Sequence, residues 1–294
     1  MFPSFFPSSV KLLKETASIN FAQSIARQAI TTGLNSQPIA TSYVHQGEDN
    51  LPILLLHGFD SSILEFRTLI PNLANENETW AVDMLGFGFT ERLQKIEYNP
   101  DTIKTHLYCF WKTLINRPVM LVGASMGGAT AIDFTLSYPQ AVKQLVLINS
   151  VGFSGDFPIG RFLFPPLDYL AVEFWRQRKL QALFWSDFGN LEPGTIEAIR
   201  CATLHLEMPL WYEAMNSFTK SGGYSNLADK IAHIDKPTLI LWGKNDNTLD
   251  RGDAVKFQKA IAHSQLIWLN CGHVPQLEQP EIVAHQLLAF QTHH

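Results

Sequence analysis

The sequence predicts an α/β protein, a mostly parallel sheet with helices on both faces and a helical insertion after its middle. Three observations carry this. Short apolar runs alternate with longer amphipathic segments from Thr41 to Asn149, and again from Thr238 to the C-terminus. That order buries a parallel sheet between two helical layers. The run Val119–Val122 leads into Gly123-Ala124-Ser125-Met126-Gly127 and then into helix formers ending at Pro139, so a buried strand turns straight into a helix. From Val151 to about Ser225 the rhythm changes to helical patterns punctuated by Pro158, Pro165 and Pro166. The chain therefore divides into an N-terminal helical extension (1–40), a core (41–150 and 226–294) and a helical cap (151–225).

Taken in order, Ser9 to Ile30 reads as a helix with Val10, Leu13, Phe21, Ile25 and Ile30 roughly on one face. It is expected to pack on the domain. The less favoured alternative is peripheral membrane contact through Phe2, Phe5 and Phe6. Thr41 to His45 is a short strand. Pro52 to Leu56 is a buried one, ending at His57-Gly58-Phe59-Asp60. Ser62-Ile63-Leu64-Glu65 has the spacing of a capping box and opens a helix to about Asn75. Trp80 to Asp83 is a strand followed by the turn Gly86-Phe87-Gly88, which lacks the spacing of a phosphate loop. Asn99 or Asp101 caps a helix reaching Asn116. After Ser125 come strands at Lys143–Asn149, Thr238–Trp242 and Leu266–Leu269, with helices at Asp253–Ala262 and Glu281–His293.

With 294 residues, 46% of them hydrophobic and 17% charged, the chain has ample core and is not a disordered one. A net charge of −5 without a basic block excludes nucleic acid as an expected partner. Cys109, Cys201 and Cys271 are far apart and lack zinc spacing, so neither a metal nor a cofactor is expected. No apolar run approaches the roughly 18–20 residues of a membrane span. The start lacks the pattern of a secretory signal. A soluble, cytoplasmic protein is expected, and the oligomeric state is left open.

Ser125 is the candidate nucleophile. Its turn demands small neighbours, because side chains at Gly123 or Gly127 would collide with the adjoining strand or helix. A serine hydroxyl needs a base, and His273 follows the last strand at the same sheet edge. The base needs an orienting acid. Asp246 directly follows the preceding strand; Asp250 and Asp253 are alternatives lying deeper in the next helix. The order Ser, Asp, His along the chain is the one this turn uses. The backbone amides of Met126 and Phe59 are the candidate oxyanion donors, and His57 reads as a loop-fixing residue. Three functions compete: a serine hydrolase acting on an apolar ester or acyl compound, a carbon–carbon bond hydrolase on the same residues, and a ligand-binding protein without turnover.

These motifs resemble the cap-bearing branch of the α/β-hydrolase superfamily. The resemblance rests on His57-Gly58-Phe59, Asp83 to Gly88, Gly123 to Gly128, Trp242-Gly243-x-x-Asp246 and Gly272-His273-x-x-x-x-Glu278-x-Pro280. It implies a Ser125–Asp246–His273 triad. It disfavours haloalkane dehalogenase and epoxide hydrolase activity, which use Asp where Ser125 stands. Cofactor-free haloperoxidases share the Ser triad. Meta-cleavage carbon–carbon hydrolases share Ser-Met-Gly-Gly but typically carry Trp after the catalytic His, where this chain has Val274. The cap holds fourteen aromatic residues in 75, Phe157 and Phe188 among them, and an apolar pocket over Ser125 is expected. Arg161, Arg176, Arg178 and Lys179 are expected to be solvated.

Overall fold

The computed structural model describes residues 1–48, 50–155, 158–186 and 191–292. Phe157, Phe188 and His293 lie outside the described residues. Eight strands form one sheet in the order β1-β2-β4-β3-β5-β6-β7-β8: β1 (Ala26–Ile30), β2 (Ile39–Gln46), β3 (Ile53–Leu56), β4 (Thr79–Val82), β5 (Val119–Ala124), β6 (Val142–Ile148), β7 (Thr238–Gly243) and β8 (Ser264–Leu269). β1 and β2 pair antiparallel, as do β2 and β4; every other pairing is parallel.

The central strands are buried along their whole length because both faces are covered. Alternate residues go to opposite cores. Leu54, Leu56, Leu121 and Trp242 pack on one face with Phe110, Ile132 and Phe257. Ile53, Leu55, Met120 and Val122 pack on the other with Phe66, Phe290 and Leu287. The helices are α1 (Thr16–Ser24), α2 (Ile70–Ala74), α3 (Pro100–Leu114), α4 (Met126–Ser137), α5 (Leu167–Ser186), α6 (Pro193–Thr203), α7 (Trp211–Ser221), α8 (Gly252–Ala260), α9 (Pro275–Glu278) and α10 (Pro280–Thr292). Asn99 caps α3 in a reciprocal box with Thr102. Between β6 and β7 the described residues contain helices and no strand, as the proline-punctuated pattern predicts.

The expected helix from Ser9 to Ile30 is corrected. It breaks into a 3₁₀ turn at Ser8–Leu12, then α1, then β1. Ala26, Arg27 and Gln28 are good helix formers, but β1 pairs in register from Ala26 with Tyr43 to Ile30 with Ile39. Sheet pairing overrides local propensity there, and these residues extend the core sheet. Phe2, Phe5 and Phe6 do not form a free wedge: they pack against the core, with the Phe6 ring 4.4 Å from Phe89 and Arg27 4.2 Å over Phe5. Ser62 to Asn75 is also not one helix. It is a 3₁₀ turn at Ile63–Phe66 followed by the short α2.

Candidate active site

Five neighbouring parallel strands end at one edge, and each delivers a loop to the same place. β3 leads to His57-Gly58-Phe59, β5 to Ser125, β6 to Asn149, β7 to Asp246 and β8 to His273. Ser125 sits at φ 53° and ψ −118°, a strained conformation for a residue with a side chain. The turn is enforced by close packing. A Cβ at Gly123 would stand 2.2 Å from the Gly127 carbonyl oxygen, and one at Gly127 would stand 2.2 Å from that of Leu56. Neither position tolerates a side chain, which is why the turn reads Gly-x-Ser-x-Gly.

Ser125 Oγ lies 3.1 Å from His273 Nε2, and His273 Nδ1 lies 2.9 Å from Asp246 Oδ2. The carboxylate accepts at Nδ1, so that nitrogen carries the proton and Nε2 is free to accept from the serine. Asp246 is itself held on every side. Asn149 Nδ2 donates to its Oδ2 at 2.5 Å, and the Thr248 and Leu249 amides donate to Oδ1 at 2.7 and 3.1 Å. Burial acts to raise its pKa, but the bonds from His273, Asn149 and Thr248 outweigh it and hold the carboxylate at about 2. The two alternative acids are elsewhere. Asp253 takes Ser154 Oγ and Lys256 Nζ, and Asp250 accepts the Gly252 amide. Glu278 accepts the amides of Gly272 and Val274, which flank His273 and so set its loop.

On the opposite side the His57 loop is fixed from within. His57 Nδ1 donates to the Gly58 carbonyl at 2.8 Å, and Nε2 accepts the Met84 amide at 3.1 Å. Burial pushes the ring down to about 3 and keeps it neutral. Gly58 lies against Ser125, an added Cβ there meeting the Ser125 Cβ at 3.5 Å. Phe59 and Met126 both border one cavity of about 500 Å³ together with Ser125 and His273. The rest of its wall is largely apolar, including Leu64, Val151, Trp175, Phe218, Leu249 and Leu277.

Four residues of this region have roles the sequence reading missed. Asn149 stands at φ 41°, accepts the Gly243 amide, and donates to Asp246; the only hint was a polar residue closing an apolar strand. Glu65 does not reach back to cap its own turn. It accepts the Gly58 amide at 3.2 Å, Ser61 Oγ at 2.6 Å and Gln276 Nε2 at 3.1 Å, tying the loop after β3 to α9. Burial pushes this carboxyl up to about 7, against the lowering effect of those bonds. Asp60, buried in the same loop, receives His205 Nε2 and Trp211 Nε1, both at 2.9 Å. Lys179 Nζ lies 2.8 Å from its second oxygen. Lys179, expected to be solvated, therefore points inward from α5 onto the loop beside Phe59.

Among the described residues no group of His, Cys, Asp or Glu could hold a metal ion, and the three cysteines are free. No helix among them is long and apolar enough to cross a membrane.

A serine hydroxyl within hydrogen-bond reach of an imidazole, at a strand–turn–helix unit, is an arrangement that hydrolases of the α/β class use. The chain belongs to the α/β hydrolase fold family, whose model matches residues 52–280. It is 33% identical to the alpha/beta hydrolase domain-containing protein VTE7 of Arabidopsis thaliana, an alignment covering 99% of this chain and 91% of that one. It is 30% identical to the 2-hydroxy-6-oxo-6-(2'-aminophenyl)hexa-2,4-dienoic acid hydrolase of Metapseudomonas resinovorans, over 87% of this chain and 89% of the relative. It is 29% identical to the monoacylglycerol lipase ABHD6 of Bos taurus, over 81% and 74%. Named relatives of this chain are hydrolases, and the protein is an α/β-hydrolase enzyme.

Proposed function

We propose that Ser125, His273 and Asp246 form the catalytic triad of a serine hydrolase that cleaves apolar carboxylic esters through an acyl-enzyme. The observation that carries this reading is the unbroken hydrogen-bonded chain from Ser125 Oγ through both imidazole nitrogens to Asp246, opening on an apolar cavity. Ser125 Oγ attacks the ester carbonyl carbon while its proton passes to His273 Nε2. The amides of Met126 and Phe59 donate to the oxyanion that forms, Met126 being also the first residue of α4, whose N-terminus favours negative charge. Collapse of the intermediate breaks the carbon–oxygen bond, and His273 gives its proton to the leaving alkoxide. Water then enters, loses a proton to His273 and attacks the acyl carbon; the acid leaves and Ser125 recovers its proton. Asp246 stays ionised throughout and keeps the Nδ1–H oriented.

The cavity favours a medium acyl or aromatic ester, because its wall offers apolar surface and few free polar partners. The similarity to the monoacylglycerol lipase points the same way. A second reading has its own support: the relative from Metapseudomonas resinovorans suggests carbon–carbon bond hydrolysis on the same triad, despite Val274 after the histidine. Fluorophosphonate labelling with p-nitrophenyl ester turnover tests the first reading. Ser125→Ala removes the label and nearly all turnover while leaving the fold intact. Retained turnover sinks the triad, whereas a vinylogous diketone hydrolysed in preference to every ester moves the activity to the second reading.

A further inference from the structure

Helix α5 buries Val172 on its inward side, yet it also presents apolar side chains outward. Its inward side carries Asp168, bound to Lys220 at 3.2 Å, and Lys179, bound to Asp60. Its outward side carries Leu170, Phe174 and Trp185, which are 55%, 59% and 65% exposed. The preceding turn adds Phe162 and Phe164, 78% and 63% exposed. A helix facing only water has no reason to present such a stripe. Of the four basic residues between Pro158 and Ser186, Arg161 and Arg178 are exposed, while Arg176 is paired with Glu173 at 3.5 Å and Lys179 with Asp60, in a chain of net charge −5. Arg178 lies 5.4 Å over Trp175, and Trp175 belongs both to this exposed helix and to the cavity wall.

We propose that the outer face of α5 and the turn before it dock on an anionic lipid bilayer, with the mouth of the cavity at Trp175 against the membrane. Aromatic residues settle at the boundary between headgroups and acyl chains, and the exposed Arg178 beside them meets the anionic phosphates. A second copy of the chain is the poorer occupant. A two-fold contact sets a patch against itself, and this would bring the exposed Arg161 and Arg178 of both copies into one interface. The inference rests on the ester reading for its purpose: an apolar ester partitions into the bilayer and reaches Ser125 past Trp175 without crossing water.

The test uses the full chain carrying Ser125→Ala, so that binding is measured without turnover. This protein should co-sediment with phosphatidylcholine vesicles containing phosphatidylglycerol, less with phosphatidylcholine alone, and less in high salt. Arg178→Glu should lower the bound-to-free ratio roughly tenfold, and Phe174→Ser with Trp185→Ser roughly tenfold. In the Ser125 background both variants should keep kcat/KM on a soluble short-chain ester, which shows that they fold. Failure to sediment with either vesicle, or sedimentation unchanged in both variants, overturns the proposal. So does a solution dimer that Phe174→Ser with Trp185→Ser converts to monomer, which assigns the face to a second copy. Vesicle binding without any ester turnover in the Ser125 protein overturns the ester reading and leaves the docking face standing.

Discussion

The turn around Ser125 and helix α5 both line one cavity, and they are held by different interactions. The turn is held by main-chain packing and by carboxylates that mostly bind main-chain amides. Gly123 and Gly127 press main chain on main chain, Glu278 clamps the amides beside His273, and Asp246 is bound from three directions. Helix α5 is held over the loop after β3 by Lys179, which shares the buried carboxylate of Asp60 with His205 and Trp211. The first wall has no room for a side chain at either glycine. The second meets the loop after β3 through a charged side chain. The difference separates two tasks: the backbone-built wall suits an invariant reaction, and the side-chain-built wall suits a choice of substrate.

The sharpest way to break this comparison is at the invariant wall. Asp246→Asn should cut kcat by about 10⁴-fold, the size of the drop when a triad aspartate becomes asparagine in a trypsin-like enzyme, because the imidazole loses its fixed tautomer. Steady-state rates on a butyrate ester check this. A larger loss in Asp250→Asn or Asp253→Asn would reassign the acid.

Glu65 offers the next largest effect. Its folded pKa of about 7 lies above the ordinary 4.5, so the native state keeps a proton that the unfolded chain has released. Stability from this group is full below about pH 4.5 and is lost as pH rises towards 7, on the order of 3 kcal/mol in all. Asp83, raised by burial to about 7 against its backbone bonds, contributes a loss of the same sign. Urea unfolding across this range should show stability falling with pH, and Glu65→Gln should flatten part of that slope while Asp83 keeps the rest. An unchanged slope would show that Glu65 ionises normally.

Asp60→Asn probes the side-chain-built wall. It keeps the shape and removes the charge that faces Lys179, and it should lower stability by about 2 kcal/mol, the range for a charged hydrogen bond. KM should rise more for an octanoate than for an acetate ester, since the longer chain fills more of the cavity that Trp175 and Lys179 line. Equal effects on both would place Asp60 with the reaction wall through its neighbour Phe59.

The smallest effect is read along an acyl series. Each methylene that enters the cavity should contribute about 0.8 kcal/mol to transition-state binding, close to fourfold in kcat/KM. Acetate, butyrate, hexanoate and octanoate esters measure it. A steep fall from acetate onward would mean that the side-chain-built wall closes the cavity, and the apolar-substrate reading would go with it.

The residues themselves were enough for everything whose cause lies close in the chain. The strand–turn–helix around Ser125 follows from five consecutive residues, because the glycines must be small wherever that turn is made. The alternation of apolar runs and amphipathic segments sufficed for a parallel α/β sheet, and the position of His273 and Asp246 after their strands followed from the sheet's one-sided edge. Tertiary structure decided whatever depends on a distant partner. Ala26 to Ile30 looks helical until Ile39 to Tyr43 is laid beside it. Glu65 has the spacing of a cap, yet its hydrogen bonds go to Gly58 and, 211 positions away, to Gln276. Lys179 sits in a basic run that reads as solvated, and only the approach of Asp60, 119 positions earlier, turns it inward. Periodicity and spacing record what a residue does to its neighbours along the chain. A buried carboxylate finds its partners across space, and the free energy of leaving it unpaired, rather than any local pattern, is what selects them.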